Sequence, residues 1–329
     1  IWLLGVLAST SGAIFFALAS TAPVLQKWYA STDGPRANDP YFLYAASNLG
    51  SLTGLLAYPL VIERQMGLAM QTQSLSSVYI FFAALVTFCT AFYAYQGKKE
   101  HKLAQSDSFD SQLSDQISPP SKKQYCQWLY LTILPASLVL GLTSFVTCEL
   151  SAFPLFWMIP LSLYILSFIV AFSFFPNKLL GPVRFLAAIG STALILTIIF
   201  NEYTYSDYVT EFISLHLAVL FLISLACHAQ VALSRPSTRY LTNYYLCMAI
   251  GGIIGTSLNT FLAPVVLRDL SEYQIVLAIS ASLIFTSMQK GKWRVPERAV
   301  PWVVAGSIVC ILLVNSYSSD PRTVLSKRN

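Results

Sequence analysis

Apolar segments of about twenty residues recur along the chain, separated by polar stretches rich in Pro, Gly, Asp and Lys. A helix needs roughly 20 apolar residues to cross about 30 Å of hydrocarbon, so each such segment predicts a membrane-crossing helix. Charged residues make up only 11% of the 329 residues, whereas a soluble domain carries about 25%. We therefore expect an all-α, polytopic transmembrane helix bundle with about ten helices in view, embedded in a lipid bilayer. The segments are 2–24, 41–62, 77–95, 127–147, 153–175, 183–200, 210–230, 243–267, 273–289 and 299–315.

The distribution of basic residues supports this order of segments. The longest polar stretch, 96–126, has no apolar periodicity and is predicted to be a cytoplasmic linker. Every second loop must then also be cytoplasmic, and those loops carry most of the Lys and Arg residues, among them Lys178 and Arg184. This is the pattern that the positive-inside rule requires. The segment 299–315 conflicts with it, because crossing would place the basic residues of 316–329 outside, so this segment either crosses or lies at the interface.

An internal repeat is also predicted. Residues 19–24 (ASTAPV) match 226–231 (ACHAQV), and each run leads to a Gly-rich helix with the same spacing from glycine to proline, Gly50 to Pro59 and Gly255 to Pro264. The two copies lie six segments apart and so have the same orientation, as in the parallel double repeat of major-facilitator transporters. The alternative is a chance similarity between two Gly-rich and Ala-rich helices.

The repeat predicts how the chain is organised. The first segment would be the fourth helix of its half, so three helices are expected before Ile1. The expected regions are 1–95 as the C-terminal part of the first helical half, 96–126 as the linker, 127–315 as the second half, and 316–329 as the start of a linker to an absent soluble domain.

Candidate cavity or transport residues are polar groups within or near the apolar segments. Polar groups at membrane depth are costly unless they are paired or line a cavity. An imidazole there can also couple to proton movement, although a helix-end histidine bonded to a carbonyl is an equally ordinary structure. His216, on the same helix as His228, is a weaker candidate. The candidates are Ser47, Asn48, Ser51, His228 and Asn259.

Small residues offer a structural interpretation of the same helices. Ala46, Gly50 and Gly54 recur at a spacing of four, and Gly251, Gly252 and Gly255 form a second such face. Small residues at this spacing allow another helix to approach closely.

Several classes of site are not indicated. The six cysteines include no CxxC pair, and the sequence contains no P-loop, HExxH or GxSxG motif. The chain also lacks a basic patch interleaved with exposed aromatic residues, as nucleic-acid binding would need. We therefore predict no catalytic residues, metal, cofactor or nucleic-acid partner for this chain.

Three runs of the sequence are specific enough to compare with known families. They are the run from Ser20 to Trp28, the run from Asp39 to Ser51 (DPYFLYAASNLGS), and Cys227-His228 leading to Arg235-Pro236, Leu241-Thr242, Tyr244-Tyr245-Leu246 and Gly251-Gly252. Together they resemble one family, the membrane region of bacterial spermidine-synthase-like proteins, which are fused major-facilitator/spermidine synthases.

The resemblance implies a multi-pass protein of the bacterial inner membrane. It also implies a fused soluble aminopropyltransferase-like domain after Asn329, whose substrate-binding residues this chain lacks. The expected function is small-molecule transport, with polyamines as the cargo that the resemblance suggests. The scarcity of carboxylates at membrane depth favours a neutral or anionic cargo instead. The alternatives are a non-catalytic membrane anchor or regulatory module, or the non-catalytic half of a membrane-bound aminopropyltransferase.

Overall fold

The computed structural model describes residues 2–32, 34–37, 39–103, 119–150, 155–200, 209–267 and 271–281. Regular structure in these ranges is entirely helical. The α-helices are α1 (Trp2–Leu7), α2 (Ala13–Ala30), α3 (Phe42–Ala57), α4 (Glu63–Gln65), α5 (Leu68–Leu103), α6 (Lys122–Phe145), α7 (Met158–Phe174), α8 (Leu180–Phe200), α9 (Val209–Leu233), α10 (Leu241–Ser257), α11 (Ala263–Val266) and α12 (Ser271–Ala281).

Among the described residues, seven helical stretches are long and apolar enough to cross a membrane. The chain is therefore an integral membrane protein with a polytopic helical bundle, and the predicted fold class is confirmed. The total of ten helices stays a prediction, because α7 contributes a shorter apolar helix and 299–315 lies outside the described residues. The seven are Gly5–Ala30, Phe42–Gln65, Leu68–Tyr95, Lys122–Cys148, Asn177–Ile198, Val209–Leu233 and Thr238–Val266.

The helices extend further than the apolar segments do. α5 continues to Leu103 and α6 already begins at Lys122, so helix covers both ends of the polar stretch 96–126. Lys, Gln and Glu are good helix formers, which lets a helix continue beyond its apolar part. Ser121 caps α6, because its hydroxyl accepts a hydrogen bond from the Gln124 N–H at 3.3 Å.

In the part of the chain that the structure describes, four helices contain or continue into a five-residue π-helical segment. A π turn accommodates an extra residue within an otherwise α-helical element. In α3 and α10 the order is the same: an α-helix, a π segment, and a final short α-helical turn. The π segments are Ala8–Gly12, Tyr58–Ile62, Val146–Leu150 and Leu258–Leu262.

The chain divides into two compact units, of which the second contains Tyr41–Leu52 and the helices from α6 onwards. α6 and α9 form its centre, since 67% and 56% of their apolar windows are buried. They run antiparallel, because Trp128 bonds Ser234 at one end while Phe145 stacks on His216 at the other. Alternating directions are what short connections between membrane-spanning helices require.

Helix α10 runs parallel to α6 and touches it through two glycines. A Cβ atom on Gly251 would overlap the hydroxyl of Thr132. One on Gly255 would overlap the Ile133 carbonyl and lie 3.0 Å from the Cβ of Ala136. The predicted role of these glycines in close helix packing is confirmed, because only hydrogen fits at both positions.

The helix boundaries suggest a different register for the internal repeat. Counted from the ends of α3 and α10 and from their π segments, Gly50 and Gly54 correspond to Ile250 and Ile254. This register aligns neither glycine of α3 with a glycine of α10, and it differs by five residues from the predicted match of Gly50 with Gly255. The repeat itself stays a prediction.

The first unit contains Ile1–Pro40 and Thr53–Pro120. None of the apolar windows in Gly5–Ala30 and Leu68–Tyr95 is buried by the described residues. Trp28 stacks on Tyr93 with ring centroids 5.3 Å apart, which joins α2 to α5. The remaining apolar faces are surfaces for lipid or for other protein.

The α6–α10 contact gives a prediction about stability. Replacing Gly255 with Ala is expected to lower the free energy of unfolding by about 1–3 kcal/mol, because the new methyl group overpacks the Ile133 carbonyl. Gly252→Ala is the matched control, since nothing lies within 4 Å of a Cβ there. Thermal unfolding in detergent measures both variants. A Gly255→Ala protein that unfolds at the parent temperature would contradict the close contact.

Candidate functional site

Two of the runs that carry the family resemblance meet in space. Tyr41 and Tyr44, at the start of α3, pack against Tyr244 and Tyr245, at the start of α10. The centroids of Tyr41 and Tyr244 lie 5.7 Å apart, edge to face, and those of Tyr44 and Tyr245 lie 5.1 Å apart. These are favourable distances for aromatic pairs. We call these four residues the tyrosine cluster.

Two hydroxyls of the tyrosine cluster form hydrogen bonds with the last turn of α9 and with the loop that follows it. Tyr41 donates a hydrogen bond to the carbonyl of Pro236 at 2.9 Å, and Arg235 lies 5.3 Å from the Tyr41 ring centroid. Tyr244 donates to the carbonyl of Val231, also at 2.9 Å. The Arg-Pro motif of the sequence is therefore a contact partner of the Tyr-Phe-Leu-Tyr motif.

Helix α7 continues the cluster towards the interior of the unit. Tyr44 packs against Phe168 and Phe172, with centroid distances of 5.5 Å and 4.9 Å. Asn48, a predicted site residue, lies one turn further along α3, where its Nδ2 donates to the Tyr44 carbonyl at 2.8 Å. Its side chain thus stays within its own helix, next to the aromatic cluster.

The other two candidates on α3 are exposed. Ser47 and Ser51 lie on the surface of the described unit, and the Ser51 hydroxyl donates to the Ser47 carbonyl at 3.2 Å. Neither side chain is brought to His228 or Asn259 by the contacts of the described residues.

His228 is fully buried, between α9 and α7. Its ring stacks on Phe168 with centroids 3.5 Å apart, and Tyr164 meets it edge-on at 5.0 Å. Its Nδ1 lies 2.7 Å from the hydroxyl of Ser167, while its Nε2 is buried without a hydrogen-bond partner among the described residues. A buried ring nitrogen left in this state carries a desolvation cost.

The bonding of Ser167 assigns the proton on this histidine. A serine hydroxyl has one hydrogen, and that of Ser167 is directed to the Tyr164 carbonyl at 2.6 Å. Ser167 can then only accept from His228, so Nδ1 carries the proton. In the neutral ring Nε2 is therefore a free acceptor within the membrane-spanning part of α9.

Arg184 adds a positive charge beside α9. The prediction that it belongs to the loop charges is wrong, because it lies inside α8 and is only 5% exposed. Its guanidinium lies near Cys227, the neighbour of His228 on α9. Its Nε has no partner within the described ranges. We call Tyr164, Ser167, Arg184, Cys227 and His228 the polar centre.

A recess of about 200 Å³ lies one helical turn from the polar centre. Its walls include Ala171 and Ala232, four residues beyond Ser167 and His228 respectively, and Arg235 stands at its rim. A spacing of four residues corresponds to roughly 6 Å along a helix. The same wall contains Phe172, whose ring packs against Phe168 below.

Asn259 lies elsewhere in the unit, against α6. Its Nδ2 donates to the Ser137 carbonyl at 3.1 Å, and its Oδ1 is buried without a partner in the part of the chain described. His216 is nearer to this end of the bundle, with its Nδ1 2.6 Å from the Tyr273 hydroxyl. Phe145 stacks on both of these rings. The structure thus separates Asn259 from His228.

Carboxylates are remote from the polar centre within the described ranges. Glu63 and Glu211 are exposed at helix starts, as expected from their place at segment ends. The side chain of Glu149 lies outside the described residues. No group of three or more His, Cys, Asp or Glu residues with metal-binding geometry occurs in the part that the structure describes.

No family model, curated protein or solved structure matches this chain. The resemblance to the membrane region of spermidine-synthase-like proteins therefore stays a prediction. The function proposed below is therefore inferred from the geometry of the polar centre.

The sequence predicted His228 as a site residue, but it did not predict most of the side chains that surround His228 in the structure. Arg184 carried a usable signal, since it is the one basic residue within 183–200. Ser167 and Tyr164 carried none, because hydroxyl residues are ordinary in apolar helices. The contact between Ser167 and His228 joins positions 61 residues apart.

The bond between Ser167 and His228 gives a second prediction. Ser167→Ala leaves the Nδ1–H of a buried ring unpaired, and is expected to destabilise the protein by about 1–3 kcal/mol. Ser191→Ala is the control, because Ser191 is equally buried but bonds only the Ala187 carbonyl of its own helix. Removing both partners, in Ser167→Ala with His228→Leu, is expected to recover most of the loss. If Ser167→Ala and Ser191→Ala lowered the unfolding temperature equally, the hydrogen bond from the Nδ1–H of His228 to Ser167 would be contradicted.

Proposed function

We propose that this chain is the membrane module of a transporter for a small polar solute, with the polar centre as its solute-binding site. The observation that carries the proposal is the set of polar atoms in α7 to α9 that are buried without a hydrogen-bond partner among the described residues. Ser162, His216, Ser224 and Gln230 each have one, in addition to those of Arg184 and His228.

Unpaired polar atoms at membrane depth are costly, because neither lipid nor bulk water satisfies them. A structure that serves only to anchor another domain gains nothing from them. A solute that binds between α7, α8 and α9 would supply the missing partners, and the cost would be recovered on binding. Transporters commonly bind their solutes at interfaces between helices.

The recess near Arg235 supports an approach from one side of the membrane. Arg235 lies in a loop that the positive-inside rule assigns to the cytoplasm. A solute entering there would pass Phe172 and Phe168 before reaching His228. Movement of these rings is the step that would open the centre.

The identity of the cargo belongs to the proposal as well. A bacterial inner membrane and a link to an aminopropyltransferase-like domain follow from the family resemblance, and so does a polyamine cargo. The polar centre counts against a polycation, because it contains a guanidinium and no carboxylate among the described residues. Sites for cations at membrane depth normally contain Asp or Glu.

A membrane anchor or regulatory module is the second candidate. The observation that favours it is the tight packing of α10 on α6 at Gly251 and Gly255, which is typical of a rigid structural contact. Gly50 and Gly54 do not repeat it within the described chain, since nothing lies within 4 Å of a Cβ at either position. The two candidates differ in whether the polar centre opens to water.

Cys227 tests that opening independently of the cargo. We would replace Cys89, Cys126, Cys148, Cys247 and Cys310 with Ser, and treat membranes with a charged, impermeant methanethiosulfonate. Transport predicts labelling of Cys227 because the centre is hydrated in part of the cycle.

The control variant has Cys227→Ser together with Ile223→Cys, which places the thiol at a fully buried core position on the same helix. The transporter is expected to label at position 227 at least tenfold faster than at 223. Equal and slow labelling at both positions would favour the rigid anchor.

Flux into proteoliposomes tests transport directly. Spermidine, citrate and glucose represent a cationic, an anionic and a neutral solute, and saturable uptake of one of them above protein-free liposomes is expected. His228→Ala and Arg184→Gln should each lower that flux at least tenfold, whereas Ser191→Ala should leave it within twofold. Unchanged flux in the first two variants would remove the site assignment. The absence of uptake for all three solutes, by folded protein, would contradict transport.

A further inference from the structure

We infer that the polar centre binds an anion bearing a carboxylate or phosphate group, with Arg184 as its charged ligand and the Nε2 of His228 as an acceptor for a hydroxyl on the same solute. This inference rests on the proposed function and names the class of its solute.

Arg184 requires a negative partner. A guanidinium stays protonated under all ordinary conditions, and burying it without a counter-charge is costly. Its side chain is 5% exposed, and the described residues provide no carboxylate to pair with it. The Cys227 thiol lies near it but provides no counter-charge. The planar fork of donors on Arg matches a carboxylate or a phosphate in geometry as well as in charge.

His228 requires that the bound solute also carry a hydrogen-bond donor. Since Nδ1 donates to Ser167, Nε2 of the neutral ring can only accept a hydrogen bond. A simple anion such as chloride offers nothing to it. A hydroxycarboxylate or a hydrogen phosphate carries both an anionic oxygen for Arg184 and an O–H for His228.

The two residues lie close together around α9. Arg184 lies near Cys227, which directly precedes His228 on α9, and the Tyr164 ring lies 5.0 Å from that of His228. Arg184 reaches α9 from α8, and Tyr164 reaches it from α7. An anion here would therefore be held by helices on both sides of α9.

Ligand-dependent stability tests the inference. The full chain would be placed in phosphatidylcholine nanodiscs, and its unfolding temperature followed by tryptophan fluorescence at constant ionic strength. Citrate or inorganic phosphate is expected to raise the temperature saturably, while chloride and spermidine leave it unchanged. A protein that none of the anions stabilises would overturn the inference.

Substitutions assign the effect to Arg184. Arg184→Gln is expected to weaken anion binding at least tenfold, yet to unfold without ligand at the same or a higher temperature, because an unpaired buried charge has been removed. Lys178→Gln is the matched control: it removes the same charge from an exposed position at the start of α8 and should retain binding. Arg184→Lys should bind at an intermediate level, since it keeps the charge and loses the fork. Undiminished binding by Arg184→Gln would contradict the role of this residue.

A lipid phosphate could provide the same chemistry as a free anion. Nanodiscs that contain phosphatidylglycerol distinguish the two sources. If they raise the unfolding temperature through Arg184 and abolish the effect of citrate and phosphate, the anion is a lipid headgroup. Anion binding without any flux would support the anion site and contradict the proposal that the protein is a transporter. Flux of spermidine or glucose without anion binding would support transport and contradict the anion site.

Discussion

The close approach of α10 to α6 is the contact on which the arrangement of the second unit depends. Between membrane helices apolar side chains gain little by leaving lipid, so backbone proximity provides much of the attraction. Gly251 and Gly255 permit this close approach, and they thereby determine which residues of α6 and α10 meet at the two ends of the contact. Near one end Tyr244 packs edge-on against Trp128 at 5.0 Å, and beyond the other Asn259 bonds Ser137. The tyrosine cluster is thus positioned by two residues that lack side chains.

The polar centre stands in contrast to this packing. Around α6 the hydroxyls of Thr132, which is buried, and Thr143, which is half-buried, are satisfied by carbonyls of their own helix, while the Oδ1 of Asn259 is left unpaired in the described structure. Around α9 the buried groups of Arg184 and His228 are left partly unpaired in the described structure. The second of these regions thus leaves a buried charge without a partner, whereas the first leaves a neutral amide oxygen. Selection for stability alone would fill the second region with apolar residues.

Hydropathy predicted the helical membrane fold because lipid imposes a strong, one-dimensional constraint on composition. It could not predict where the helices end: α5 continues through Lys98 and Glu100, whose helix propensity is independent of the membrane. The positive-inside rule misassigned Arg184, since it counts charges along the sequence and has no information on whether a side chain is buried. The pairing of His216 with Tyr273, like that of His228 with Ser167, depends on the packing of separate helices, which periodicity within one segment does not encode.

The π segments of α3 and α10 change the direction that the last turn of each helix faces. One extra residue in a turn rotates everything beyond it by about 100° relative to a continuous α-helix. Tyr58–Ile62 and Leu258–Leu262 therefore separate a long first part of each helix from its last turn. That last turn therefore faces a direction about 100° from the one that a continuous α-helix of the same length would give it. The face that each helix presents at its C-terminal end is thus set by the π segment and not by the periodicity of its longer first part.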